Sequence, residues 1–181
     1  MKTCHPSIPP AARLRCTVFA AAFLLAACGY QFAGGGPLPG GVGSVYVPLL
    51  TNATGETGLD SVVTDALRYE ITRRGNRVAA DRGGADAVLS GVVRGAVSET
   101  ISRSTIGTAR ERRVRLTVGL ELRRTGEPEA SIWSRGGLEA TETYAVVDAD
   151  RRATDENRRR ALEEAARKLA EQALTNMSAD F

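Results

Sequence analysis

Apolar and polar residues recur along this chain in a pattern that predicts six elements in the order β-α-β-β-β-α. Alternation or short apolar runs indicate strands at residues 44–50, 85–98, 110–123 and 130–144. Apolar residues at three- and four-residue spacing indicate two helices, which begin at the N-cap candidates Thr57 and Thr154. Gly75 follows the first helix as a typical C-terminal glycine. Residues 77–80 form a short strand-like connector.

The alternation is strictest in residues 110–123, which predicts a strand with one face on the core and one face in water. The preceding strand is almost continuously apolar, so we expect it to be central, with Val97 on the same face as Leu89. In the last strand, Gly136-Gly137 indicates a bulge. Trp133 is expected on the face opposite the core residues, where it either covers an edge or contacts a partner.

The connections between these elements predict the fold class. A helix joins the first two strands, so these strands should be parallel with a right-handed crossover, while the last three should form an antiparallel meander. Two helices with one apolar stripe each can cover only one face of a sheet. The prediction is therefore an α+β fold, a two-layer sandwich with two helices packed on one face of a four-stranded mixed sheet.

The second helix is expected to present a solvated charged face. Its acidic residues precede basic residues by four positions, a spacing that favours ion pairs along a helix. The predicted pairs are Asp155/Arg159, Glu156/Arg160, Glu163/Arg167 and Glu164/Lys168.

The N-terminal segment, residues 1–27, has the anatomy of a secretory signal peptide. Its only charged residues are basic, and its apolar run 16–26 is too short for a transmembrane helix. A buried N-terminal helix is the alternative interpretation. Leu25-Ala26-Ala27-Cys28 resembles the lipobox of bacterial lipoproteins. The resemblance implies that cleavage leaves Cys28 as the first residue, carrying a diacylglycerol and an N-acyl chain.

Removal of the signal peptide changes the composition of the protein. The full chain has 24 Lys and Arg against 21 Asp and Glu, and the loss of three basic residues leaves a net charge of zero. The basic excess is therefore no argument for binding nucleic acid. The histidine and every cysteine except Cys28 also leave, which excludes Cys/His metal sites, cysteine nucleophiles and histidine triads. We expect no catalytic residue, no metal and no cofactor beyond the covalent lipid.

The mature chain is predicted to have two parts. Residues 28–43 form the lipidated N-terminus and a Gly/Pro-rich tether, and residues 44–181 form a single domain. The glycines of the tether precede a strand and do not join a strand to a helix, so their context excludes a nucleotide-binding loop.

Arginines crowd the start of the alternating strand and the loop before it. The cluster comprises Arg103, Arg110, Arg112, Arg113 and Arg115. Guanidinium groups bind phosphate oxygens through paired hydrogen bonds, so one interpretation is a site for a phosphate-bearing ligand. The other interpretation is a solvated face neutralised by Glu99 and Glu111. The sequence leaves both open.

Several segments, taken in order, resemble the LptE family of lipopolysaccharide-assembly lipoproteins in Gram-negative bacteria. They are Cys28-Gly29-Tyr30-Gln31-Phe32, Val45-Tyr46-Val47, Asn52-Ala53-Thr54, the helix 59–74, residues 85–91, the strand 113–123, Ile132-Trp133 and the Ala-rich final helix. The resemblance implies an outer-membrane lipid anchor facing the periplasm and the lumen of an LptD-like β-barrel, which the protein plugs and helps to assemble. It also implies that the protein binds lipopolysaccharide, whose phosphates would suit the arginine cluster.

A second resemblance belongs to another functional class. The strand 44–50, the Asn-Ala-Thr-Gly loop and residues 85–91 also resemble the domain of lipoprotein activators of penicillin-binding proteins and of curli-type secretion lipoproteins. The short chain, the Cys-Gly-Tyr-Gln-Phe start and the lack of a long Pro/Gln-rich tether favour the LptE family.

Overall fold

A computed structural model describes residues 38–103, 109–127 and 131–180. The predicted signal peptide, the predicted lipidation site Cys28 and most of the predicted tether lie outside the described residues. The last part of the tether lies against the core, because Leu38 and Val42 are buried on either side of a short 3-10 turn, Pro39–Gly41. The packed part of the chain therefore includes residues before the predicted first strand.

The sheet has six strands, so the prediction of four strands is wrong. They are β1 (Ser44–Tyr46), β2 (Thr51–Asn52), β3 (Arg77–Val78), β4 (Ala87–Arg103), β5 (Ala109–Arg124) and β6 (Ser131–Ala145). Their order is β3-β1-β4-β5-β6, with β2 also paired to β4. The predicted first strand, residues 44–50, ends early at Tyr46, ahead of Pro48, which has no amide hydrogen for a ladder, and β2 lies after its predicted end. The predicted connector at residues 77–80 supplies β3, an edge strand on β1.

The predicted α+β class, the two helices and the mixed sheet are confirmed. The helices are α1 (Leu59–Arg73) and α2 (Arg151–Ala179), and both pack on the strands around one hydrophobic core. β1 and β4 are parallel, whereas β4, β5 and β6 form the predicted antiparallel meander.

The helix ends differ in part from the prediction. α1 begins after Gly58 and not after Thr57, and the N-cap of α2 is Asp150, whose carboxylate accepts from the amide of Ala153 at 2.9 Å. Thr154 lies inside α2, where its hydroxyl accepts from the amide of Val147 at 3.0 Å. Gly75 has the positive φ of 83° expected at the end of α1, a conformation that glycine adopts without strain.

A bulge in β6 places Trp133 on the core side of the sheet, so its predicted position on the opposite face is wrong. The predicted bulge at Gly136-Gly137 is present as a shift in the pairing of β5 with β6. The extra residue exchanges the two faces of the strand before it. Trp133 is therefore opposite Leu122 and only 5% exposed, and its indole nitrogen donates to Asp180 at 3.0 Å.

A second bulge, in β4, has the reverse effect on Val97. The pairing of β4 with β5 shifts between Val93 and Gly95, so Arg94 is the extra residue. Leu89 and Val93 remain in the core, whereas Val97 is 56% exposed. The predicted shared face of Leu89 and Val97 is thus wrong beyond the bulge, because one added residue reverses every later side chain.

Candidate functional site

The face of the sheet opposite the two helices is open in the part of the chain that the structure describes. We call it the open face. It carries outward side chains of β4, β5 and β6, which include Arg94, Glu99, Arg113, Arg115, Glu121 and Glu139. Both signs of charge are interspersed, so any ligand or partner that binds here meets a surface of mixed charge.

Arg115 of the predicted arginine cluster lies between two carboxylates on the open face. Its guanidinium lies 3.3 Å from the carboxylate of Glu139 on β6 and 3.8 Å from that of Glu99 on β4. All three side chains are about half exposed, so these contacts stabilise the fold by little. The neutralisation by Glu99 that the sequence suggested is present at this position.

Strand alternation divides the predicted cluster between the two faces of the sheet. Arg113 and Arg115 lie on the open face, because Arg113 is opposite Glu99. Arg112 lies on the helix side, opposite Tyr144. Arg103 and Arg110 are exposed near the ends of β4 and β5 that approach their connecting loop. The structure therefore does not bring all five arginines into one patch.

A shallow depression of about 510 Å³ lies on the open face where β4, β5 and β6 meet. Its lining includes the polar side chains of Ser90, Glu121 and Ser134. Arg94 lies across Gly119, since a Cβ added to this glycine would stand 2.9 Å from the Arg94 Nε. Periodicity could not single out Arg94, because it is the extra residue of the bulge.

A tight polar contact lies on the helix side, at the end of the core. Arg158 of α2 donates two hydrogen bonds of 2.7 Å to the carboxylate of Glu56, and its Nε donates to the Ser98 hydroxyl at 3.2 Å. These hydrogen bonds lower the pKa of Glu56 and outweigh the opposing effect of burial. The loop before α1, the helix α2 and the strand β4 are joined at this point.

Two further observations bear on the chemistry of the described residues. Within residues 38–103, 109–127 and 131–180, no three side chains of His, Cys, Asp or Glu are placed to hold a metal ion. Neither described helix combines the length and apolar character needed to cross a membrane.

Sequence comparison gives one family match. The family model LptE, described as lipopolysaccharide-assembly, matches residues 42–177. This range includes every strand and all but the last residues of α2. No match was found among curated proteins.

Several solved bacterial lipoproteins share the fold. Rare lipoprotein B from Shewanella oneidensis is 17% identical with a TM-score of 0.50, and the match covers 75% of this chain and 95% of that one. Lipoprotein B from Nitrosomonas europaea is 21% identical with a TM-score of 0.51, over 81% and 88% of the two chains. A minor lipoprotein from Acinetobacter baumannii is 17% identical with a TM-score of 0.50, over 76% and 92%. At these identities the likeness concerns the fold alone.

Proposed function

Because the chain belongs to the LptE family of lipopolysaccharide-assembly proteins, we propose that it plugs and helps to assemble an LptD-like β-barrel of the outer membrane and binds lipopolysaccharide on its way to the cell surface. The observation that carries the proposal is the family match over residues 42–177. The family is non-enzymatic, so the proposed role is one of binding and assembly.

The shape of the sheet supports a role inside a barrel. β4 and β5 have 17 and 16 residues, and at about 3.3 Å per residue they extend for roughly 50 Å. Their open face presents mixed charge to its surroundings, which suits a wet contact with the polar interior of a barrel better than burial in lipid.

The arginines near the ends of β4 and β5 support the binding of lipopolysaccharide. Arg103, Arg110 and Arg113 are exposed, and guanidinium groups are well suited to phosphate oxygens. Attachment would come from Cys28, since stable anchoring needs more than one acyl chain and the predicted modification supplies them.

Co-purification tests the proposed partner. The full-length lipoprotein, tagged at its C-terminus, should recover a large β-barrel protein from solubilised outer membranes. Recovery of a penicillin-binding protein in place of the barrel would overturn the proposal and support the alternative class of lipoprotein activators.

A charge reversal tests lipopolysaccharide binding by the exposed arginines. Arg113→Glu combined with Arg103→Glu should weaken binding to lipopolysaccharide without unfolding the domain, because both side chains are exposed. Arg82→Glu combined with Arg152→Glu is the matched control, since it makes the same charge change at two other exposed arginines, one in the loop before β4 and one in the first turn of α2. Equal binding by the double variant and the control would exclude these arginines as the ligand site.

The anchor is tested at Cys28. Cys28→Ala should leave the precursor uncleaved by the lipoprotein route and without acyl chains, which mass spectrometry would detect. Acylation of this variant at the normal level would refute the assignment of Cys28.

A further inference from the structure

The depression on the open face lies where two irregularities of the sheet meet at Gly119. On one side of this glycine, β4 carries its extra residue, Arg94. On the other side, the pairing of β5 with β6 shifts between Val118 and Leu120. Gly119 and Gly136 both line the depression, whose volume is about 510 Å³. Since neither residue has a side chain, the main chain of a partner can approach the sheet closely at this point.

Arg94 lies across this gap with its donor groups free. A Cβ added to Gly119 would stand 2.9 Å from the Nε and 3.1 Å from the Nη2 of Arg94, so the glycine makes room for the guanidinium. Among the residues that the structure describes, Arg94 has neither a hydrogen-bond nor an ion-pair partner. A guanidinium group has five N–H donors, and those of Arg94 are available to an acceptor from outside the domain.

The charges that line the depression leave one positive charge in excess. Its charged lining residues are Arg94, Glu121 and Arg135. Glu121 lies 2.9 Å from the guanidinium of Arg123, and Arg135 lies 2.8 Å from the carboxylate of Asp180. Each of these two pairs is neutral, so the net charge of +1 comes from Arg94.

A group of opposite net charge lies next to the depression on the same face. Arg115 lies 3.3 Å from Glu139 and 3.8 Å from Glu99, so the three side chains together carry one negative charge. All three lie outside the depression. A complementary partner therefore presents an acidic group to Arg94 without a second negative charge beside it.

This charge pattern favours a carboxylate over a phosphate. A phosphate group carries a charge of about −1.5 to −2 at neutral pH, and the Glu121 carboxylate in the same lining would repel it. The hydroxyls of Ser90 and Ser134 lie on either side of Glu121 and suit the polar groups of a peptide. We propose that the depression is a docking site for an acidic side chain of a partner protein, whose carboxylate binds the guanidinium of Arg94 through paired hydrogen bonds.

The inference rests on the proposed function for the identity of the partner. The inner wall of an outer-membrane barrel is polar, so an aspartate or glutamate of that wall would supply the carboxylate. The open face would then be the side of the sheet that meets the wall, with Arg94 near the centre of the contact.

A lysine at position 94 makes this contact detectable. A carbodiimide couples a lysine amine to a carboxylate that touches it, and the product is an amide. The full-length Arg94→Lys lipoprotein is treated in isolated outer membranes, and mass spectrometry should find position 94 coupled to an acidic residue of the barrel. Lys168, the other lysine after the predicted cleavage site, is paired with Glu142 of the same chain. Arg152→Lys, at an exposed position in the first turn of α2, is the matched control and should give no such product.

Affinity measurements test the guanidinium itself. Arg94→Ala should bind the solubilised barrel about tenfold more weakly, as expected for the loss of a hydrogen bond between charged groups. Gly119→Ala should weaken binding similarly, because its methyl group displaces the guanidinium. The two effects should not add in the double variant, since each removes the same contact. Arg94 is exposed, so its variants test the site even where Gly119→Ala lowers stability.

Two control variants match these substitutions. In Gly95→Ala, the new Cβ meets no atom closer than 4.0 Å. Arg82→Ala removes an exposed arginine from the loop before β4. Both controls should bind the barrel with the affinity of the wild type.

The outcomes separate the docking site from the proposed function. Recovery of the barrel without coupling at position 94, or with equal affinities in site variants and controls, would overturn the docking site alone. Coupling at position 94 to an acidic residue of a different, identified protein would overturn the proposed function and leave the site. Absence of both the barrel and the coupled product would overturn both. If Arg94→Ala binds lipopolysaccharide vesicles more weakly and the barrel normally, the depression is a phosphate site and the proposal is wrong.

Discussion

The contact between Glu56 and Arg158 gives the sharpest prediction about stability. The two side chains are 33% and 24% exposed, which places the pair between a surface ion pair and a buried one. Surface pairs contribute about 0.2–1 kcal/mol, and removal of one partner of a buried pair costs about 3–5 kcal/mol. Because both hydrogen bonds measure 2.7 Å and lie in a two-pronged arrangement, we expect a coupling energy of about 1.5 kcal/mol.

A double-mutant cycle measures this coupling. Glu56→Gln, Arg158→Gln and the double variant are compared with the wild type by urea unfolding at neutral pH. The pair Arg151 and Asp155 serves as the control cycle, because these side chains are 94% and 69% exposed and 3.9 Å apart. Its coupling energy should be close to zero. A coupling below about 0.3 kcal/mol for Glu56 and Arg158, within the usual error of additivity, would refute the reasoning.

The same cycle has a defined dependence on pH. The hydrogen bonds from Arg158 lower the pKa of Glu56 in the folded protein. Glu56 therefore makes its full contribution to stability above the ordinary glutamate pKa of about 4.3. This contribution is lost as the pH falls through the lower pKa that Glu56 has in the folded protein. Arg158 keeps its charge over this range, so Glu56 alone accounts for the change. A coupling energy that stays constant down to strongly acid pH would contradict the assignment.

Two further substitutions test packing and a buried charge. Gly91→Ala should destabilise the domain by about 2–3 kcal/mol in urea unfolding, because the new Cβ would stand 2.5 Å from the carbonyl oxygen of Gly119. In the control Gly95→Ala, the new Cβ meets no atom closer than 4.0 Å. Similar losses of stability in both variants would show that the close approach is not the cause. Glu70→Gln should lower the free energy of unfolding by about 2 kcal/mol, because the carboxylate is 2% exposed and its loss weakens the contact with the guanidinium of Arg74, which is 17% exposed. An unchanged midpoint of thermal unfolding would contradict this prediction.

The ion pairs of α2 show how far local spacing could predict the contacts of charged residues. Of the four predicted pairs, Glu156 with Arg160 is present at 3.2 Å. Arg167 contacts Glu164 and Glu171 in place of Glu163, and Lys168 contacts Glu142 on the sheet. Sequence spacing predicts which ion-pair partners lie within reach on the same helix, but it does not predict partners on a strand that packs beside the helix.

The candidate sites were less predictable than the fold. The sequence pointed to the arginine cluster, but alternation along β5 sends Arg112 to the helix side and Arg113 to the open face. The sequence did not distinguish Arg158 from the other charges on the solvated face of the second helix. Its contact with Glu56 depends on the docking of α2 over the end of the sheet, which no periodicity predicts.

The sequence by itself determined the order of the long elements, their helical or extended character and the inward face of β5. Apolar residues that recur every 3.6 positions define the buried side of a helix, and those that recur every 2 positions define the buried side of a strand. It also determined the C-terminal glycine of α1 and the position of the β6 bulge. The tertiary structure alone decided the burial of Trp133 and the exposure of Val97. Those outcomes depend on the register between neighbouring strands, and one extra residue in either strand reverses every side chain beyond it.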